Sequence, residues 1–141
     1  MNYLIGAIRN GDHMCFGCSE RNPIGLKLKF TMDGDKCRTE FTAGEEHQGW
    51  NGYMHGGLIA ALMDETMAWW LWFKDISIMT AEMTTRYSLG VPVKTKLTVE
   101  SWCEEEKRGR LFFMAARIIL PDGKVPATAK AKFLRIEPEK L

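Results

Sequence analysis

From Leu26 to Met32 the chain reads Leu-Lys-Leu-Lys-Phe-Thr-Met, an alternation with period two that predicts a strand with one buried face. Asp33-Gly34 supplies a turn and Cys37–Thr42 reads as the returning strand, so a hairpin opens the fold. Ahead of it, residues 1–25 are punctuated by Gly and Asn without a strong period, and are expected as an N-terminal segment packed on the domain. Residues 43–54 carry Gly44, Gly49 and Gly52 between polar residues and predict a loop. A long apolar run follows and predicts a helix from about Gly56 to Phe73. Its hydrophobic residues, among them Leu58, Ile59, Leu62, Met63, Met67, Trp69 and Trp72, point to nearly all sides, so other elements must enclose it.

After Lys74-Asp75 come four expected strands, at about 77–88, 94–103, 111–120 and 125–136. Gly90-Val91-Pro92, Lys107-Arg108-Gly109 and Pro121-Asp122-Gly123 separate them with turn chemistry. In the last of them Ala127, Ala129 and Ala131 alternate with Thr128, Lys130 and Lys132, giving one face of small side chains against which a helix packs closely. The order is two strands, one long buried helix, then four strands read as an antiparallel meander. The class is α+β: one domain over 1–141, with a curved antiparallel sheet of about six strands around a central helix.

Composition narrows the function classes. Hydrophobic residues at 45% and charged residues at 26% are those of an ordinary globular chain. A formal net charge of +1 lacks the basic footprint of a nucleic-acid binder. The apolar run carries Asp64 and Glu65 in its middle, which excludes a bilayer span. Met1–Gly6 shows no basic region leading into an apolar stretch, so no secretory signal is expected and a cytoplasmic location follows by default. Four cysteines make no disulfide framework at this length, and free thiols are expected.

The stretch His55-Gly56-Gly57 through Asp64-Glu65 carries the candidate chemistry. A helix starting at the glycines leaves its first N–H groups without intrahelical partners, directed at any oxygen above them, and glycine lets a ligand approach that backbone. Gly57 and Asp64 are separated by about 700° of helical rotation, nearly one face, but by about 10 Å along the axis. Asp64 therefore cannot reach an oxygen held over its own helix start. Two antiparallel helices across a two-fold axis would bring each Asp64 to the other chain's glycines. His55 and Asp64 are about 900° apart, on opposite faces, which rejects an in-helix His-Asp dyad.

Other residues have plainer readings. Glu65, about 100° around from Asp64, reads as an interface or loop-binding carboxylate and a reserve acid. His55 reads as a turn-stabilising residue. Cys15-x-x-Cys18 with His13 is half of a zinc site, but four ligands are needed and no second CxxC or HxxxH follows, so no metal is expected. Trp69, Trp70 and Trp72 fall at core spacing, with one available to floor an apolar pocket. Arg86, Lys94, Lys96, Arg108, Arg110 and Lys124 are cations placed to meet phosphates, each alone a solvated charge.

On three segments the chain resembles the hotdog-fold thioesterases, in the branch related to phenylacetyl-CoA thioesterases. They are Cys15-Phe16-Gly17-Cys18-Ser19-Glu20-Arg21-Asn22-Pro23-Ile24-Gly25-Leu26, His55-Gly56-Gly57 with Asp64 seven residues on, and Met79–Tyr87 with Thr80 seven residues before Tyr87. The likeness spans roughly residues 15 to 136. Ser19 stands where that branch usually has Gly. The resemblance implies a homodimer, commonly paired again into a tetramer, acting on acyl-CoA without cofactor. It implies Gly56 as main oxyanion donor with Gly57 permitting close approach, Asp64 of the partner chain as general base or nucleophile, and Thr80 holding the attacking water. An amide from the preceding loop would orient the carbonyl, and Gln48, beside Gly49-Trp50, is preferred to Asn51. Asn51, His55, Gly57 and Glu65 complete the expected substrate-binding set.

Acyl-CoA hydrolysis is thus the leading expectation. A hotdog hydratase or dehydratase would need a His against an acid, for which His47 is the remaining candidate. A non-catalytic acyl-CoA binding module is the reading from another class.

Overall fold

The computed structural model describes residues 3–137. Helix α1 spans Tyr3–Asn10, β1 Thr31–Asp33, β2 Lys36–Thr42, α2 Gly56–Trp72, β3 Ile78–Tyr87, β4 Lys96–Lys107, β5 Leu111–Ile119 and β6 Ala127–Arg135. The six strands form one antiparallel sheet in the order β1-β2-β4-β5-β6-β3, and α2 packs on β2 to β6. This is the hotdog architecture. Among the described residues no helix is long and apolar enough to cross a membrane.

The central helix follows from its composition. Ile59, Leu62, Met63, Met67 and Leu71 are buried against the sheet, where Leu97, Val99, Phe112, Met114, Ile118 and Phe133 meet them. The inward face of β6 is Ala127, Ala129 and Ala131, all buried while the residues between them are exposed, so the helix rides close to the sheet. The helix closes where the backbone turns left-handed at Asp75 (φ 61°), and the Ile76 N–H returns to the Leu71 carbonyl at 3.1 Å.

Four local expectations are corrected. The N-terminal segment, read as without a strong period, contains α1, whose eight residues and internal Gly6 hide one. The alternation from Leu26 does set Leu26 and Leu28 inside and Lys27 and Lys29 outside, but the strand ladder begins only at Thr31. The N–H groups of Leu26 and Leu28 are taken by the carbonyls of Phe16 (2.8 Å) and Gly17 (3.0 Å), and Lys27 adopts φ 53°. Strand β4 runs four residues past the expected end, through an irregularity between Cys103 and Glu105. The last four strands are not a simple meander: β4, β5 and β6 are, but β3 lies beyond β6 at the sheet edge. Its link to β4, residues 88–95, is too long for a tight hairpin. That link instead braces the loop before α2, with Met54 N–H on the Val91 carbonyl (2.8 Å) and Val93 N–H on that of Gly52 (3.0 Å).

One buried carboxylate organises the β2-β4-β5 region. Glu100 is 2% exposed and accepts from Arg38 Nε (2.7 Å) and Arg117 Nε (2.8 Å). Burial alone would raise its pKa, but the Arg117 and Arg38 guanidiniums outweigh that and hold it below its ordinary 4.5. A depressed folded-state pKa contributes stability that is complete above the unfolded value and lost as pH falls through the folded one. Glu100→Gln is therefore expected to melt below the parent at neutral pH, with the gap closing as pH drops below the ordinary glutamate range. Thermal melts across pH check this; a gap undiminished at acid pH contradicts it.

Candidate active site

The start of α2 is built by His55. Its Nδ1 accepts the Gly57 N–H at 2.9 Å, and its carbonyl accepts both Leu58 and Ile59 N–H groups at 3.1 Å. Among the described residues the Gly56 N–H makes no hydrogen bond, so one donor of the helix terminus remains for a ligand. The Gly56 carbonyl is tied to β3 by the Tyr87 hydroxyl at 2.7 Å. The two glycines differ in what they serve. A Cβ at Gly57 would press on the His55 ring at 3.0 Å, so a larger residue there would push the capping ring aside by a few tenths of an ångström. A Cβ at Gly56 would sit in ordinary contact with Tyr87 at 3.6 Å, so packing does not demand glycine there; what the missing side chain leaves clear is the approach to the N–H.

Further along α2, half-buried Asp64 accepts a hydrogen bond from Thr80 Oγ1 at 2.7 Å. Thr80 is the third residue of β3, just before a register shift that ends at Glu82, and the structure brings Asp64 and Thr80, two expected site residues, together. The Thr80 proton lies on Asp64 Oδ1, which orients the carboxylate; the hydroxyl lone pairs remain free to accept from water. Burial pushes the Asp64 carboxyl up, the Thr80 hydrogen bond opposes this and nearby Cys15 adds to it. The aspartate is thereby a better base than a solvated one.

The loop residues are engaged within their own loop. Gln48 Oε1 accepts from Gly52 N–H at 2.5 Å, and its Nε2 donates to the Glu45 carbonyl at 2.9 Å. Asn51 stands exposed at the loop tip. His47 Nδ1 accepts the Gly44 N–H at 2.9 Å, closing a single 3₁₀ turn over Glu45–His47, and the ring packs edge-on to Phe41. Neither His47 nor His55 is hydrogen-bonded to an acid on α2. Lys94, Lys96 and Lys124 lie near Glu45, Glu40 and Asp122 respectively.

Glu65 leaves the Asp64 side and meets the N-terminal loop. Its Oε1 is hydrogen-bonded to Cys15 Sγ at 3.1 Å, and a Cβ on Gly17 would fall 2.4 Å from its Cδ. The four cysteines are unbridged. Burial pushes the Glu65 carboxyl up to about 8, while Cys18 and neighbouring backbone N–H groups hold the Cys15 thiol down against burial. Cys15 and Glu65 are fifty positions apart in the chain, so the sequence does not join them, and the apolar neighbours of Glu65 are its only local signal. Trp69 stacks on Phe30 at 5.2 Å and meets Trp72 edge-on, and these two tryptophans border separate cavities under the N-terminal loop, of about 590 and 290 Å³.

A helix start with one spare N–H at Gly56, an acid eight residues on at Asp64 and a six-stranded sheet wrapped round the helix define a protein of the hotdog type. Residues 51–127 match the thioesterase superfamily profile, and the chain belongs to that superfamily. It is 31% identical over 121 residues to the acyl-coenzyme A thioesterase THEM4 of Rattus norvegicus, covering 82% of this chain and 52% of that protein. The chain thus spans about half the length of the mammalian relatives it matches. Among solved structures it is similar to the E. coli PaaI protein from the phenylacetic acid degradation operon, with TM-score 0.73, 17% identity and coverage of 79% and 81%. A hypothetical thioesterase from Streptococcus pneumoniae solved with coenzyme A aligns with TM-score 0.72, 15% identity and coverage of 77% and 85%.

Proposed function

We propose that this chain hydrolyses acyl-CoA thioesters as a homodimer, with each site built from the α2 start of one protomer and Asp64 of the other. The observation that carries the reading is how the first N–H groups of α2 are used: His55 takes those of Gly57, Leu58 and Ile59, and that of Gly56 is left over. It would hydrogen-bond the thioester oxygen as negative charge develops there, aided by the positive end of the helix. Asp64, held by Thr80, would take a proton from the attacking water, the CoA thiolate leaving as the acid forms, or would attack the carbonyl itself, the thiolate leaving as a mixed anhydride forms that water then hydrolyses to free acid and Asp64. Gly57 supports the cap, Tyr87 anchors the Gly56 peptide, and Gln48 shapes the loop from which Asn51 faces the substrate.

The dimer has support in the sheet. Strand β3 is a ten-residue edge whose outer side has no partner strand among the described residues, and it exposes Met79 and Tyr87. Such an edge calls for covering. The rat relative's name and the coenzyme A held by the pneumococcal structure support acyl-CoA as substrate class.

The test is release of free CoA from short, medium, long and aromatic acyl-CoAs, with blanks for the protein's own thiols, alongside mass by light scattering. Turnover by a dimer or larger assembly is expected. Saturable binding without turnover across the panel overturns the hydrolase reading in favour of a binding module, and a turning-over monomer overturns the shared site.

A further inference from the structure

We infer that Cys15, Cys18 and Glu65 form a binding site for a tetrahedral divalent cation of the zinc class, with solvent as fourth ligand. Their donor atoms all lie within 4.8 Å of one another. Ligand atoms around a four-coordinate zinc are about 3.5–3.8 Å apart, from Zn–S and Zn–O lengths in a tetrahedron, so a small contraction closes the set. Spacing alone counted two ligands in the CxxC segment; the fold supplies the third from the middle of α2.

Three features make this a built site. The turn is closed by Ser19 N–H on the Cys15 carbonyl at 3.0 Å, which sets the Cys15 and Cys18 sulfurs on one side of the loop, within 4.8 Å of the Glu65 carboxylate. A turn of that kind holds two sulfurs at the spacing a tetrahedral ion needs. Gly17 is the residue that lets Glu65 in, since any Cβ there would overlap the carboxylate stem. Among the described residues no lysine or arginine forms an ion pair with Glu65, so this half-buried carboxylate has thiols rather than cations around it. Such a group is stabilised by a metal.

The fourth position follows by elimination. His13 Nδ1 accepts the Cys15 N–H at 3.2 Å, and neither nitrogen of that ring joins the cluster of donor atoms. Cys18 is buried, but Cys15 is half-exposed and lines the 290 Å³ cavity with His13, Trp72 and Ser77, which leaves room for water. Two sulfurs and one carboxylate oxygen favour zinc over magnesium or calcium. On binding, the thiols and the carboxyl release their protons to solvent. The ion would staple the N-terminal loop to α2 one residue from Asp64, a role independent of the proposed hydrolysis.

The experiment is zinc content of the purified full chain by mass spectrometry, followed by titration of the reduced metal-free protein with Zn²⁺ against a chelating indicator and with Co²⁺ by absorbance. One ion per chain and a thiolate-to-cobalt charge-transfer band are expected. Both should be lost in Cys15→Ser and Cys18→Ser, weakened in Glu65→Gln and in Gly17→Ala, and kept in Cys103→Ser. Circular dichroism keeps loss of metal distinct from loss of fold, and Gly17→Ala displaces only a flexible side chain. No uptake by protein whose thiols titrate as reduced overturns the site. Uptake that survives both cysteine changes places the metal elsewhere, and undiminished affinity in Glu65→Gln removes the third ligand; either overturns the proposal.

Discussion

Asp64→Asn is expected to lower kcat for acyl-CoA hydrolysis by about 10²-fold or more, the usual worth of a positioned acid–base group. The amide has the shape of the carboxylate and its oxygen still accepts from Thr80, now 2.7 Å away, so the fold and KM should change little. It can neither take a proton from water nor attack a carbonyl. Single turnover in ¹⁸O-labelled water separates the parent's two routes, because direct attack by Asp64 puts an unlabelled enzyme oxygen into the first acid released. Equal kcat in parent and variant would leave Asp64 outside the chemistry.

Phe133→Ala should cost about 3–5 kcal/mol of stability, as for other fully buried aromatic truncations. Phe133 is 0% exposed and lies across from Phe112 on β5 and Thr80 on β3. Cross-strand partners share a face, so its ring supports both the core and the residue that orients Asp64. The denaturant midpoint should fall at unchanged slope, and kcat should fall with it under conditions where the variant remains folded. A loss below about 1 kcal/mol would mean that the site collapses around the deleted ring.

Much of this was legible in the chain. The helix from Gly56, the glycine pair and an isolated acid amid apolar neighbours are local patterns, and α2 Gly56–Trp72 reproduces the expected bounds to within a residue. The hairpin and the alanine face of β6 are equally local. What escaped depends on distant partners. Which strand β3 pairs with is decided across the sheet rather than by its own alternation, and the segment from Leu26 reads as a strand until the N-terminal loop takes its N–H groups. Thr80 entered through resemblance, since nothing in its neighbourhood distinguishes it from Thr84 or Thr85. Glu65 reads from the sequence as an interface or loop-binding carboxylate, and it does meet a loop; that the loop is the one carrying Cys15 is decided by side-chain direction across the fold.

The placement of β3 beyond β6 has a kinetic side. Its ladder joins Ile78–Tyr87 to Ala127–Arg135, so Thr80 acquires its neighbours only when the last strand of the sheet arrives. Pairings so far apart in sequence carry a large loop-closure cost and form late. During synthesis Thr80 is therefore made well before the strand that fixes its register, so the hydroxyl bonded to Asp64 is expected to be set in place only once Ala127–Arg135 has followed it.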